Sequence, residues 1–419
     1  MTERIKRRRL GRPPKRHYGP EATILPGRSL VPATVADRRT WNGFCEIESE
    51  PALFNVILRE FGVRGIKVHE LVSLEEEMMA FVPKPIYGLI FLFRWREDDP
   101  DKQEASCPDG VWFANQTSNN ACASVALLNI VNNVEGIELG EHLRRFKDFT
   151  MPFTPALRGD AITNFEFVKQ IHNSFARKMD MLNSDLQLKN DATAKRKKAG
   201  KHRQEHGESE AGFHFIAFVP AMGKVWKFDG LERQPQGLGQ YSEDKWLDLV
   251  KPEIRSRMTE YEEGQIEFSV LSLVRDPILD ITRELALNVK CLETVNRQLD
   301  EGIATSDHTF ANLPDVILGP ALDLGLTQDD IDCAEIPQGV LETYQASTLK
   351  ELDLLQRRLI DSQRRIRESM KEELQSCQAD DDHAAGRRHE YGPAVRSWIG
   401  MLARKAVIKD LLDEFPEMQ

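Results

Sequence analysis

The sequence predicts an α/β fold, a central antiparallel sheet flanked by helices, continued by a helical extension at the C-terminal end. Three observations carry that expectation. Residues 123–131 (ASVALLNIV) are apolar on nearly every face, as a helix buried in a domain core must be. Residues 213–219 (FHFIAFV) and 224–229 (KVWKFD) alternate, are rich in aromatic and β-branched side chains, and flank a Pro-Ala-Met-Gly turn. Beyond residue 276 the apolar positions step by alternating four and three, the spacing of helices that pack along a seam.

In chain order, residues 1–35 stand apart by composition. Arg4, Lys6, Arg7, Arg8, Arg9, Arg12, Lys15 and Arg16 crowd the start, and aperiodic sequence with proline and glycine follows, which predicts a disordered basic arm. Besides a plain solvated tail, the arm reads first as a nuclear-localisation signal. DNA contact through a minor-groove hook around Gly11-Arg12-Pro13 is the less favoured alternative, because Leu10 stands where such hooks carry arginine. The next domain opens with a helix that starts at Ser49-Glu50-Pro51, repeats Leu53, Phe54, Ile57, Leu58 and Phe61 at helical spacing, and stops at Gly62. Residues 86–94 are a buried central strand, and residues 98–109 a polar loop leading to the apolar helix. Two helical segments are expected over 139–175. From Lys178 to Glu210 hydrophobicity falls and a Lys195–Lys198 basic run and His202 and His206 appear, so this segment is expected not to order itself. Residues 265–274 are the last strand of the domain.

The extension begins with Ile281, Leu285, Asn288, Leu292, Val295 and Leu299 in one helix. Residues 302–340 form a linker or mobile hairpin. A second stripe, Leu352, Leu355, Leu359, Ser362 and Ile366, ends near Cys377, and an amphipathic helix runs toward Leu412. Two antiparallel helices packed on each other account for both stripes, with partner docking added; a coiled coil with another protein is the alternative.

Composition narrows the function classes. Acidic residues outnumber basic ones 67 to 56, a net charge of −11, which argues against a chain built mainly for nucleic acid and suits a partner with a basic binding face. Six cysteines without paired spacing, with no secretory leader recognised, point to a reducing compartment and give neither a disulfide framework nor a zinc site. No metal ligand set is predicted. No apolar run reaches membrane-spanning length.

The residues that carry chemistry centre on Cys122. It falls at the first turn of the apolar helix, where Asn119 and Asn120 are expected caps and the helix dipole favours a thiolate. Gln116, on the incoming loop, can donate its amide to a developing oxyanion beside the Cys122 N–H. If the hairpin is centred on Ala221 and Met222, Val219 faces Lys224 and His214 falls opposite Asp229, with Cβ atoms ~5 Å apart. The carboxylate would fix one imidazole nitrogen and leave the other to take the cysteine proton. His172 also attracts notice, but with no carboxylate nearby in sequence it is assigned a structural role.

Gln116, Asn120-Ala121-Cys122-Ala123, the run from His172 to Arg177, Phe213-His214-Phe215 and Asp229-Gly230-Leu231 resemble the ubiquitin C-terminal hydrolase family of cysteine peptidases, over about residues 41–275. The likeness is to the branch with a C-terminal extension, which includes proteasome-associated and chromatin-associated members. The resemblance implies a papain-like fold; Cys122 as nucleophile, His214 as general base and proton donor, Asp229 as its orienter and Gln116 as oxyanion donor; and no metal or organic cofactor. It further implies that Glu46, Glu48, Asn120 and Phe213 line the ubiquitin surface. It divides the chain into the arm (1–35), a catalytic domain (36–275) with a crossover loop at about 178–211, a helix and linker (276–340) and a C-terminal module (341–419). That module, through the run from Arg387 to Pro393 and the following helix, would bind an activating protein, a proteasome subunit or a chromatin cofactor. The lysine-rich tail of the proteasome-binding member is missing. The implied partners are ubiquitin and ubiquitinated proteins, in nucleus and cytoplasm, with no membrane. The rival reading is a ubiquitin-binding adaptor with a latent peptidase domain.

Overall fold

The computed structural model describes residues 31–94, 99–198, 212–241, 245–259, 268–302 and 316–405. The basic arm up to residue 30, His202, His206 and the chain beyond residue 405 lie outside the described residues. The described residues divide into two units, one of residues 33–389 and one that includes residues 390–405. In the large unit the elements run α1 (Val35–Thr40), α2 (Pro51–Glu60), β1 (Ile66–Glu70), α3 (Glu76–Met79), β2 (Ile86–Arg94), α4 (Cys122–Val131), α5 (Gly140–Thr150), α6 (Pro155–Asn164), α7 (Glu166–Asn173), α8 (Lys178–Lys198), β3 (Phe213–Ala221), β4 (Lys224–Phe228), β5 (Gln236–Gln240), α9 (Leu247–Thr259), β6 (Phe268–Arg275), α10 (Pro277–Gly302), α11 (Gln328–Cys333), α12 (Gln338–Ala346) and α13 (Leu349–Arg388). α14 (Gly392–Arg404) belongs to the other unit.

The six strands form one sheet in the order β1-β6-β2-β3-β4-β5, every neighbouring pair antiparallel. Because side chains alternate across a strand, β2 sends Ile90 and Leu92 into the core shared with α2 and α4, and Leu89, Phe91 and Phe93 into a second core capped by Trp246, Val250 and Ile254 around α9. Helices therefore cover both faces, as the α/β expectation requires. β1 and β5, each of five residues, escape the sequence pattern because they are short and lie at the two edges of the sheet.

Four expectations are corrected. The hairpin closes on Met222 and Gly223, not Ala221 and Met222: Ala221 pairs with Lys224 and Val219 with Trp226. Met222 (φ 52°) and Gly223 (φ 74°) both take left-handed backbone, the pattern of the two-residue turn that matches strand twist. Residues 139–175 hold three helices rather than two, because Thr154-Pro155 supplies a second start, its threonine side chain accepting from the Leu157 N–H. The segment from Lys178 is helical as far as Lys198, anchored where Met181 and Ser184 are buried and where the Trp41 indole donates to Asp185 at 2.9 Å. Within residues 302–340, of which 303–315 lie outside the described residues, Leu324, Leu326 and Ile331 are buried with Leu285, Val289, Ile366 and Met370, so that part is packed rather than a loose linker.

In the extension α10 and α13 run antiparallel. Asn296 accepts from Gln356 at 2.7 Å, and Asn288 accepts from Gln363 at 3.2 Å, so the paired positions rise along one helix as they fall along the other. The α13 seam includes the predicted Leu352 and Ile366, packs the predicted Leu355 and Leu359 at its side, and adds Gln356, Ile360, Gln363 and Met370, so two glutamines lie inside it. The helix also runs past Cys377 to Arg388 and lays its last turns on the catalytic domain. Asn55 donates to Asp380 at 3.0 Å, Arg59 pairs with Asp381, and the buried Lys67 ammonium pairs with Glu373.

Candidate active site

Cys122 is the first residue of α4 and half-buried, with Ala123 through Val131 fully inside the core. As the first helical residue its N–H has no partner in the helix ladder, one of the orphan donors of a helix start. The expected asparagine caps are not there: the cap position is Ala121, without a side-chain bond. Asn120 instead takes left-handed backbone at φ 60°, which asparagine tolerates better than most residues, and its amide donates to the Phe44 carbonyl at 3.3 Å and the Ser184 hydroxyl at 3.4 Å. The asparagine thus shapes the turn that delivers the cysteine.

His214 lies on β3 just past the last rung that β3 shares with β4, Ala217–Phe228. The hairpin register differs from the expected one by two residues, and a shift of two keeps every side chain on its face. His214 and Asp229 are therefore diagonal rather than directly opposed, and they still meet: His214 Nε2 donates to Asp229 Oδ1 at 2.7 Å, with both side chains about 95 % buried. The same Oδ1 accepts the Leu231 N–H at 2.9 Å, an Asx-type turn that fixes the carboxylate. Burial alone would push the imidazolium pKa down. The Asp229 carboxylate and the Cys122 sulfur outweigh it and raise the pKa to about 9. With Nε2 occupied by Asp229, Nδ1 is the nitrogen left for exchange with the sulfur, and the raised pKa keeps the residue ready as a proton donor.

Gln116 is brought to this centre by backbone stitching. Its N–H donates to the Gly230 carbonyl at 2.7 Å, next to Asp229, and the Asn115 amide donates to the Glu232 carbonyl at 2.6 Å. Gly230 permits the approach, since a Cβ there would stand 3.1 Å from both the Gln116 N and Cβ. The Gln116 Oε1 is buried without a hydrogen-bond partner. Asn120, Cys122, Glu46, Glu48, Asp180 and Phe213 line a cavity of about 420 Å³, so the sequence-predicted substrate residues gather beside the sulfur, Phe213 half exposed. Sequence reasoning missed Arg177, Asp180 and Arg387, which line the same cavity. Arg387 is 339 positions from Glu48 in the chain, a separation across which no local pattern speaks.

Two other buried groups have the right residue types and the wrong surroundings. His172 Nε2 donates to the Cys45 carbonyl at 2.7 Å, so its Nδ1 accepts the Ser124 hydroxyl at 2.8 Å. Burial pushes its pKa down to about 4, and it is a neutral core residue, as expected. Burial likewise pushes the Cys45 thiol up to about 12, which leaves it protonated and unreactive at neutral pH. Among the described residues no group of three or more His, Cys, Asp or Glu is placed to hold a metal, and no helix is long and apolar enough to cross a membrane.

The chain is similar to known proteins. Residues 44–259 match the family described as ubiquitin carboxyl-terminal hydrolase, family 1. The chain is 35% identical over 265 residues to Dictyostelium discoideum ubiquitin carboxyl-terminal hydrolase isozyme L5, covering 63% of this chain and 70% of that one. It is 34% identical over 281 residues to Caenorhabditis elegans ubiquitin carboxyl-terminal hydrolase ubh-4, covering 66% and 79%. Among solved structures it is similar to Trichinella spiralis UCH37 bound to ubiquitin vinyl methyl ester, at 30% identity and a TM-score of 0.45, covering 62% of this chain and 90% of that one.

Proposed function

Since the chain belongs to ubiquitin carboxyl-terminal hydrolase family 1, and is thereby a cysteine-type deubiquitinase, we propose that Cys122, His214, Asp229 and Gln116 carry its reaction. The observation that supports this most is the buried His214–Asp229 pair at 2.7 Å, whose imidazolium is stabilised electrostatically by the sulfur of Cys122, the first residue of α4. Cys122 thiolate attacks the carbonyl carbon of ubiquitin's terminal glycine. The negative charge that develops on the oxygen is met by the Cys122 N–H and the Gln116 amide. His214 Nδ1 gives its proton to the departing amine as the C–N bond breaks and a thioester forms. Water, losing a proton to the same nitrogen, attacks the thioester and releases ubiquitin with Cys122 restored. Asp229 stays ionised, holding the tautomer and the imidazolium.

The cavity beside Cys122 carries the carboxylates of Glu46, Glu48 and Asp180, which suits a basic tail ending in glycine. The C-terminal module docks an activating protein partner, a proteasome subunit or a chromatin cofactor. α14 supports this: it has no buried residue and exposes Val395, Trp398, Ile399 and Met401. The protein works in nucleus and cytoplasm. The test is hydrolysis of a ubiquitin C-terminal fluorogenic amide by the full chain beside Cys122→Ala. Turnover by the first and none by the second is expected; equal turnover would overturn the assignment.

A further inference from the structure

The acidic wall of the catalytic cavity is already occupied by a basic side chain of the protein itself. Arg387, in the last turn of α13, directs its guanidinium into the cavity with only 10 % of the side chain exposed. Its Nε donates to both oxygens of Glu48 at 2.8 and 2.9 Å, and Nη1 donates to Asp180 at 2.9 Å and to the Phe175 carbonyl at 2.9 Å. Nη2 reaches the Glu46 carbonyl at 3.4 Å. Glu48 remains 48 % exposed, so an incoming group can reach it.

We propose that Arg387 is an internal stand-in for a basic residue of the substrate tail, and that substrate binds by exchanging its own cation for Arg387 on Glu48. The inference rests on the reading of the Cys122 cavity as the site for ubiquitin's tail. Charge supports it: the wall holds the carboxylates of Glu46, Glu48 and Asp180 and the cations of Arg177 and Arg387, so withdrawing Arg387 doubles the net negative charge from one to two. Anchoring supports it as well. Arg387 is the penultimate residue of α13, where a turn frays readily. The adjacent Arg388 is fixed separately, by Glu60 at 2.8 Å, Ser174 at 2.7 Å and the Phe175 ring at 4.3 Å, so Arg387 can swing out while α13 stays docked. The pair on Glu48 therefore sets the affinity for the tail, and a ligand that draws the end of α13 outward would raise it.

The test uses the full chain. Arg387→Met keeps the aliphatic stem and removes the charge. On a ubiquitin C-terminal fluorogenic amide KM should fall roughly twofold to fivefold with kcat unchanged, the upper range of a partly exposed charge pair. In Glu48→Gln the same replacement should have no effect on KM, because the contested carboxylate is gone. An unchanged or raised KM in Arg387→Met, with turnover still dependent on Cys122, overturns the exchange and leaves the active-site assignment standing. Turnover that persists in Cys122→Ala overturns the assignment and the exchange together. If Arg387→Met melts well below wild type, Arg387→Lys keeps a cation but loses the fork; it should lower KM by a smaller factor, and an unchanged KM there also overturns the proposal.

Discussion

Asp229 has one catalytic duty, to hold His214, and the size of that duty can be worked from the structure. Both side chains are about 95 % buried; burial pushes the imidazolium pKa down, and the Asp229 carboxylate, helped by the Cys122 sulfur, outweighs it and holds the pKa near 9. The interval from the ordinary value of 6.5 to about 9 corresponds to about 3 kcal/mol of preference for the charged ring. Asp229→Ala removes the larger of the two supports and leaves burial opposed by the Cys122 sulfur alone, so a smaller share of the rings should be charged at pH 7.5, when the proton is needed. The expected loss in kcat is on the order of a hundredfold. The alkaline limb of the pH–rate profile, near pH 9 in the wild type, should move to lower pH. The assay is kcat and kcat/KM for a ubiquitin C-terminal fluorogenic amide between pH 5 and 10. An alkaline limb that stays near pH 9 in Asp229→Ala would refute the reasoning, whatever happens to the rate. Stability supplies a second readout. A raised pKa means that His214 stabilises the fold fully below about pH 6.5 and loses that contribution as the pH climbs through about 9, so wild type, and not Asp229→Ala, should weaken over that window in urea titrations.

Other outcomes follow from the same geometry. Gln116→Ala should lower kcat by about a hundredfold to a thousandfold with little change in KM, measured on the same amide, because the amide is needed only when the oxyanion forms. His172→Ala should cost about 2–4 kcal/mol in urea unfolding at pH 7, since it empties a core position and strands the Ser124 hydroxyl and the Cys45 carbonyl, while kcat of the folded fraction is kept. Its depressed pKa makes its contribution complete above about pH 6.5 and lost as the pH falls through about 4, so the acid sensitivity of the variant should be smaller than that of wild type. Lys67→Met should lower the thermal midpoint by leaving Glu373 without its partner, and a double-mutant cycle with Glu373→Gln should show coupling of about 1 kcal/mol or more, the signature of α13 docked on β1.

What was legible in the sequence and what was not divide along physical lines. The Cys122 helix could be read because apolar residues all round leave only a core location. His214 and Asp229 were brought together from a register that was wrong by two, and the conclusion survived because the strand period is two; an error of one would have put them on opposite faces. The asparagine caps failed because Asn120 used its tolerance of left-handed backbone in preference to its capping oxygen. The segment after Lys178 looked too polar to order, yet Met181, Ser184 and the Trp41–Asp185 bond hold it through tertiary contacts that composition does not display. The α13 seam is of the same kind: Gln356 and Gln363 look like surface residues until Asn296 and Asn288 meet them. Arg387 was visible as part of a basic pair, but its partners Glu48 and Asp180 lie 339 and 207 positions away in the chain and only the fold joins them.

The central claim is that Cys122, and no other cysteine, attacks the C-terminal carbonyl of ubiquitin. Full-length protein treated with ubiquitin vinyl methyl ester, whose activated alkene adds the thiolate as a stable thioether, and then digested for peptide mapping tests it directly. The account predicts a single adduct on Cys122, none on the buried Cys45, and no adduct in Cys122→Ala. A modified Cys45, or labelling that persists undiminished in Cys122→Ala, would contradict it.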